Sequence, residues 1–146
     1  MKKKLVIVDV DDTLAYSRPY LPLYHEGKID EWEDSFPKHK PIYYIRDLVN
    51  KLYVEEDYYI VLMTARTNRK KTVDWLLENG VVWDKLHVGV LGDKFYWDIG
   101  HAKRELYEKL YADKYDLKLV IDDNSLVISE FDKLGVSTIM VNPQNT

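Results

Sequence analysis

Residues 5–13 read Leu-Val-Ile-Val-Asp-Val-Asp-Asp-Thr: four apolar residues, then three acids within four positions. The run 5–8 is about a strand long and apolar on both faces, which suits a sheet covered on both sides. Similar runs recur at 59–63, 86–90, 117–121 and 136–141. Between them the spacing predicts helices. Ile42, Ile45, Val49 and Leu52 mark the first, with Pro41 suited to its opening turn. Val73, Leu76 and Leu77 mark the second, with Asn68 as a cap and Gly80 as its close. Ala102, Leu106 and Leu110 mark the third. Val127, Phe131 and Leu134 mark the fourth, preceded by Asn124 or Ser125 and followed by Gly135. Strand and helix thus alternate from end to end. With right-handed crossovers this predicts an α/β fold: a doubly wound, mostly parallel five-stranded sheet.

The 146 residues, 46% hydrophobic and 32% charged, suit one core and predict a single domain over 1–146. Lys and Arg number 21 against 25 Asp and Glu, a formal net charge of −4, which excludes a generally basic nucleic-acid coat. No cysteine is present, so disulfide partners, thiolate zinc sites and cysteine nucleophiles are excluded. Lys2-Lys3-Lys4 precedes an apolar run too short for a signal peptide or membrane span. The expectation is a cytoplasmic protein without a membrane partner. Residues 15–40 stand apart, with Pro19, Pro22, Pro37, Tyr16, Tyr20, Tyr24, Trp32, Phe36 and five acids. They read as a long loop inserted after the first strand, hanging over the carboxyl edge of the sheet. A lid and an aromatic-pinned surface loop explain it equally well.

Asp9 and Asp11, two apart at a strand end, start on the same side of the chain. Paired carboxylates resist joint ionisation unless a cation lies between them. Capping of the strand end would explain them equally simply, but the fourth strand runs into a second pair, Asp122-Asp123. In a doubly wound sheet both pairs face one crevice, and a hard divalent ion such as Mg²⁺ would relieve their repulsion. The second strand brings Thr64 and Arg66 to the same edge. Lys103, read as lying in the first turn of the third helix, is placed to balance the negative charge. A receiver-like phospho-accepting module also carries acids after its first strand. It needs an acceptor aspartate at the third strand's end, where 86–91 offers none.

Asp9–Leu14 (DVDDTL), Leu62–Arg66 (LMTAR), the lysine of HAKREL and VIDD at 120–123 resemble, in order, the four signature motifs of the haloacid dehalogenase-like (HAD) superfamily. Within it the chain resembles the 3′-phosphatase domain of phage polynucleotide kinase-phosphatase. Arg18-Pro19-Tyr20, the helix Lys103–Lys109 and the stretch 116–123 carry that likeness. The sequence departs from the pattern at Asp12, usually glycine. It departs again at Val90-Leu91, usually Met-Arg, and at Asp98, which sits five rather than four residues before Lys103.

The resemblance implies a Mg²⁺-dependent phosphomonoesterase. In that scheme Asp9 is the nucleophile, forming an aspartyl-phosphate, and Asp11 is the general acid and base. The metal shell draws on Asp9, the Asp11 carbonyl, Asp122 and Asp123. Thr64 and Lys103 neutralise the phosphoryl charge. Arg18, Arg66, Asp12, Thr13 and Asp98 are candidate substrate contacts. The expected substrate is a phosphorylated DNA or RNA 3′ end, with a nucleotide or small phosphorylated metabolite as the alternative. Arg69, Lys70 and Lys71 form a basic run that could follow a nucleic-acid backbone or simply solvate a helix start. Tyr16, Tyr20, Tyr24 and Trp32 could stack on a terminal base or pack onto the core. The four histidines show no ligand spacing.

Overall fold

The computed structural model describes residues 1–143. The chain runs β1 (Lys3–Val8), β2 (Ala15–Tyr16), α1 (Leu21–His25), α2 (Ile29–Ser35), β3 (Lys40–Pro41), α3 (Tyr43–Val54) and β4 (Tyr59–Met63). It continues through α4 (Arg69–Glu78), β5 (Lys85–His87), α5 (Ile99–Leu110), β6 (Tyr115–Asp122), α6 (Ser125–Asp132) and β7 (Ser137–Met140). The main sheet has five strands in the order β5-β4-β1-β6-β7, and every pairing in it is parallel.

The two-residue period of β1 sorts the core. Val6 and Val8 pack with Leu62, Ile45, Val49 and Trp75 on the face covered by α3 and α4. Leu5 and Ile7 pack with Val61, Val120, Val127 and Phe131 on the face covered by α5 and α6. A central strand buried on both faces is why residues 5–8 are continuously apolar. No helix among the described residues is long and apolar enough to cross a membrane.

Several local expectations shift. The strand expected at 86–90 stops at His87, because the chain then folds back: Gly89, at φ +61°, donates its N–H to the Arg66 carbonyl. Pro41 does not open α3 but pairs with Ala15 in the small antiparallel β2–β3 ribbon. Leu77 and Leu110 are exposed, while Trp75 fills the core instead. Asn68 and Asn124 both cap their helices, accepting from the N–H groups of Lys71 and Leu126.

The insertion expected at 15–40 as a loop or minimal cap is a compact cap of short helices. Pro19, Pro22 and Pro37 stand in opening turns, where a missing N–H costs nothing, so they start helical turns rather than break them. Trp32 and Phe36 are buried. Phe36 stacks on Trp75 at 5.2 Å, and the Trp75 indole N–H donates to the His39 carbonyl at 2.9 Å. The β2–β3 ribbon closes the cap at its base.

Helices α5 and α6 approach closely at Gly100. A Cβ built there would stand 2.5 Å from the Leu126 carbonyl oxygen and 3.0 Å from Glu130 Cγ. Gly100→Ala gains about 1 kcal/mol in helix propensity but forces the helices apart, at an overpacking cost of about 1–3 kcal/mol. The backbone obstacle places the cost near the upper end. The expected result is a lower Tm by thermal unfolding, and an unchanged or higher Tm would refute the close packing.

Candidate active site

The carboxyl edge of the sheet brings the chemistry together. Val8 pairs with Ile121, and the Asp9 N–H donates to the Ile121 carbonyl at 3.0 Å. Asp9 and Asp122 therefore leave adjacent strands side by side. The Lys103 ammonium, 2% exposed, bridges them at 3.0 Å from Asp9 Oδ1 and 2.7 Å from Asp122 Oδ2. Lys103 lies in the second turn of α5, not the first, and reaches inward rather than to solvent. Its pKa is raised: burial alone would lower it, but the two carboxylates outweigh that.

Asp9 Oδ2 accepts from the Thr13 hydroxyl at 3.2 Å, and Asp122 Oδ1 accepts from the Asn124 N–H at 3.0 Å. Carboxylate oxygens of Asp9, Asp122 and Asp123 lie within 4.8 Å of one another. Burial, and then the charge of Asp122, pushes the Asp9 carboxyl up. Asp123 is pushed up by burial and then by Asp9 and Asp122. Lys103 alone does not neutralise this cluster, and three hard oxygen donors suit a small divalent cation.

The Asp11 carboxylate points elsewhere. It accepts from Arg66 Nε at 3.0 Å, has Arg66 Nη2 at 2.9 Å from Oδ1, and accepts from the Ser17 hydroxyl at 2.7 Å. Arg66 Nη1 donates to Glu33 of the cap at 3.2 Å, and the guanidinium lies 3.5 Å from the Phe36 ring centroid. The fork expected to face substrate is thus closed on Asp11 and Glu33, although Arg66 still borders the site. Thr64 is buried there too. Its Oγ1 accepts the Arg66 N–H at 3.1 Å, which leaves its own hydrogen free to donate.

A cavity of about 760 Å³ opens over these groups. Asp9, Asp11, Thr64, Lys103, Asp122 and Asp123 line its floor, and Arg18, Leu21, Tyr24 and Trp32 of the cap line its roof. Arg18 Nε is buried without a hydrogen-bond partner, 3.8 Å from Asp12 Oδ2. Asp12 borders the cavity, but its Oδ1 is spent on the N–H groups of Ser17 and Arg18, at 3.0 and 2.8 Å. It adopts φ +59°, a left-handed conformation that aspartate tolerates better than most residues, and this explains how it can stand where the motif usually has glycine.

Thr13 and Asp98 do not line the cavity. Thr13 holds Asp9 from behind, and Asp98 precedes α5 as its N-cap residue without a side-chain capping bond. The basic run is engaged elsewhere: Arg69 donates to the Leu86 carbonyl, Lys70 pairs with Asp74, and Lys71 ties α4 to Asp34 of the cap. Trp32 is buried, Tyr20 stacks on His39 at 4.3 Å, and Tyr24 alone of that aromatic set borders the cavity while remaining exposed. Tyr96 and Glu33 were not expected. Tyr96 borders the cavity and accepts from Asn124 Nδ2 at 3.0 Å. Neither carries a spacing signal, because each meets the site only through tertiary packing.

Removing the cation of the Lys103 bridge tests its weight. In chelated buffer at pH 7, Lys103→Met should destabilise by about 3–5 kcal/mol, since the loss strands buried carboxylates. The Asp9 carboxyl, already raised, is raised further without the ammonium. The folded state then binds a proton that the unfolded state releases, so the deficit should shrink as pH falls toward 5. Denaturant unfolding at both pH values measures it. A deficit independent of pH would contradict the bridge.

Known proteins share this fold. A family model described as the polynucleotide kinase PNKP phosphatase domain matches residues 3–145. No curated protein matches the chain. The solved structure of the Pnkp1/Rnl/Hen1 RNA repair complex aligns with TM-score 0.80 at 21% identity, over 97% of this chain and 43% of that one. This chain therefore spans under half of that relative's length. The class C acid phosphatase of Bacillus anthracis aligns with TM-score 0.67 at 15% identity, over 98% and 68%. The L-2-haloacid dehalogenase of Xanthobacter autotrophicus aligns with TM-score 0.66 at 11% identity, over 95% and 77%. At these identities the structures show a shared HAD-like fold, and the match over 3–145 assigns the rest: the chain belongs to the family of polynucleotide kinase phosphatase domains, as a HAD-type phosphatase.

Proposed function

We propose that the chain is a Mg²⁺-dependent phosphomonoesterase that removes 3′-phosphate from polynucleotide ends through an aspartyl-phosphate on Asp9. The observation that carries the reaction type is the Lys103 bridge between Asp9 and Asp122, with Asp123 completing a three-carboxylate cluster. The family match supports the polynucleotide substrate.

Asp9, Asp122 and Asp123 fit a Mg²⁺ ion, which would neutralise charge between the nucleophile and the phosphate. The chain's own residues supply the rest. Lys103 favours the ionised form of Asp9 and aligns it, and Thr64 offers its free hydrogen to a phosphoryl oxygen. Arg18, whose side chain is partly exposed at the roof, offers a charged donor to the phosphate. Asp9 Oδ attacks phosphorus while the ester bond breaks, and Asp11 gives its proton to the leaving oxygen. In the second half-reaction Asp11 takes a proton from water, the water oxygen attacks phosphorus, and phosphate and free Asp9 are released.

A second reading, a nucleotide or small phosphorylated metabolite, is favoured by the basic run. Arg69, Lys70 and Lys71 do not line the cavity, and Arg69 is held by the Leu86 carbonyl. Phosphate release with Mg²⁺ from 3′-phosphorylated oligonucleotides, compared with mononucleotides and sugar phosphates, separates the two. Preference for oligonucleotides supports the first reading, and preference for the others supports the second. Asp9→Asn should abolish turnover with the fold intact, and near-wild-type activity would exclude Asp9 as nucleophile.

Metal linkage gives a second measurement. The raised carboxyls of Asp9 and Asp123 make the folded state hold protons that the unfolded state releases above about pH 4. Without metal, stability should therefore fall as pH rises through that window. Mg²⁺ binds the deprotonated acids, so its upward shift in Tm should grow with pH. Asp122→Asn with Asp123→Asn should remove that shift. If the double variant kept it, these acids would not be the ligands.

A further inference from the structure

Behind Asp11, away from the cavity floor, lies a buried row of polar groups. The Asp11 Oδ1 contact with Ser17 Oγ at 2.7 Å continues from Ser17 Oγ to His39 Nδ1 at 2.9 Å. His39 Nε2 lies 2.9 Å from Ser35 Oγ, which lies 2.7 Å from the Trp32 carbonyl oxygen. His39 is 2% exposed and is enclosed by the Tyr20, Trp32 and Phe36 rings. Arg66 and Asp11 are the charged groups acting on it. The backbone pins the residue as well: its N–H donates to the Phe36 carbonyl, and its carbonyl accepts from Trp75.

Hydrogen counting constrains the row. Four contacts join five groups, and two hydroxyls with one neutral imidazole supply three hydrogens. Burial and Arg66 lower the His39 pKa to about 4, so the ring is neutral near pH 7 and carries one N–H. Three hydrogens therefore leave one of the four contacts unshared. Ser17 donates to Asp11 and Ser35 to the Trp32 carbonyl, the two shortest contacts, and the ring N–H placed on Nδ1 donates to Ser17.

We propose that His39 is a positioning residue for the phosphatase reaction: through Ser17 it holds the Asp11 carboxyl in place. This rests on the proposed role of Asp11 as acid and then base. The oxygen of Asp11 that accepts from Ser17 is thereby fixed from behind, and the orientation of the whole carboxyl with it. The row also gives the cap a catalytic reason to carry Ser17, Ser35 and His39, none of which touches the cavity.

The test is a leaving-group series run from 4-nitrophenyl phosphate through phenyl phosphate to a 3′-phosphorylated oligonucleotide, read as kcat/KM. That ratio reports the first half-reaction, where Asp11 protonates the leaving oxygen. His39→Phe keeps a stacking ring and removes both nitrogens. It should lose about tenfold or more in kcat/KM on the two poor leaving groups and much less on 4-nitrophenyl phosphate, which departs without a proton. Ser17→Ala should show the same slope, and the double variant should be no worse than Ser17→Ala alone. His39→Asn, which returns a polar atom near Nδ1, should restore part of the loss. Circular dichroism and Tm establish that each variant is folded. An equal loss across the series, or additive losses in the double variant, would mean a merely structural His39 and overturn the proposal. A wild type inactive on every ester would instead remove the phosphatase reading, and this one with it.

Discussion

One buried ammonium group organises the carboxyl edge of this protein. Lys103 meets two carboxylates from adjacent strands at hydrogen-bond distance, and all three groups are withdrawn from water. A charge so buried is tolerated only when paired with good geometry. Register in the sheet supplies one half of that geometry, by bringing Asp9 beside Asp122. Helix packing supplies the other: the bare Cα of Gly100 lets α5 lie against the Leu126 carbonyl, so Lys103, one turn later, reaches the strand ends. The third acid, Asp123, leaves the cluster with more negative charge than the lysine cancels. That surplus, three carboxylates against one ammonium, matches the charge of one divalent cation.

A second ionic centre joins cap to sheet. Arg66 holds Asp11 with one edge of its guanidinium and Glu33 of the cap with the other, over the faces of Phe36 and Trp32. Lys71 and Asp34 repeat the tie at the surface. The acids of the cap therefore serve partly to dock it, which accounts for acidic residues above a site proposed to bind phosphate. The row from Asp11 through Ser17 and His39 to Ser35 gives the same carboxylate a neutral partner on its far side. Asp11 is thereby held from two directions, by a charge and by a hydroxyl, and is kept apart from the three-carboxylate cluster. That separation places the proposed nucleophile and the proposed acid–base group of one strand end in different electrostatic surroundings.

The layered α/β fold was legible in the residue pattern because a parallel sheet buried on both faces leaves continuous apolar runs, and helices leave a three-to-four spacing. Runs of acids at strand ends identified Asp9, Asp122 and Asp123, since topology alone brings those ends to one edge. The insertion at 15–40 was legible as a loop or minimal cap, but its helices were not, because they are too short for periodicity and its prolines resemble breaks. What the chain alone determined was therefore the order of elements and the acids at their ends, both written in local pattern. Tertiary structure decided the partners: that Lys103 is buried rather than solvated, that Arg66 closes on Asp11 and Glu33, and that His39 stands behind Ser17. Those contacts join residues 19 to 94 positions apart, where charge and hydrogen bonding act through space and leave no spacing to read.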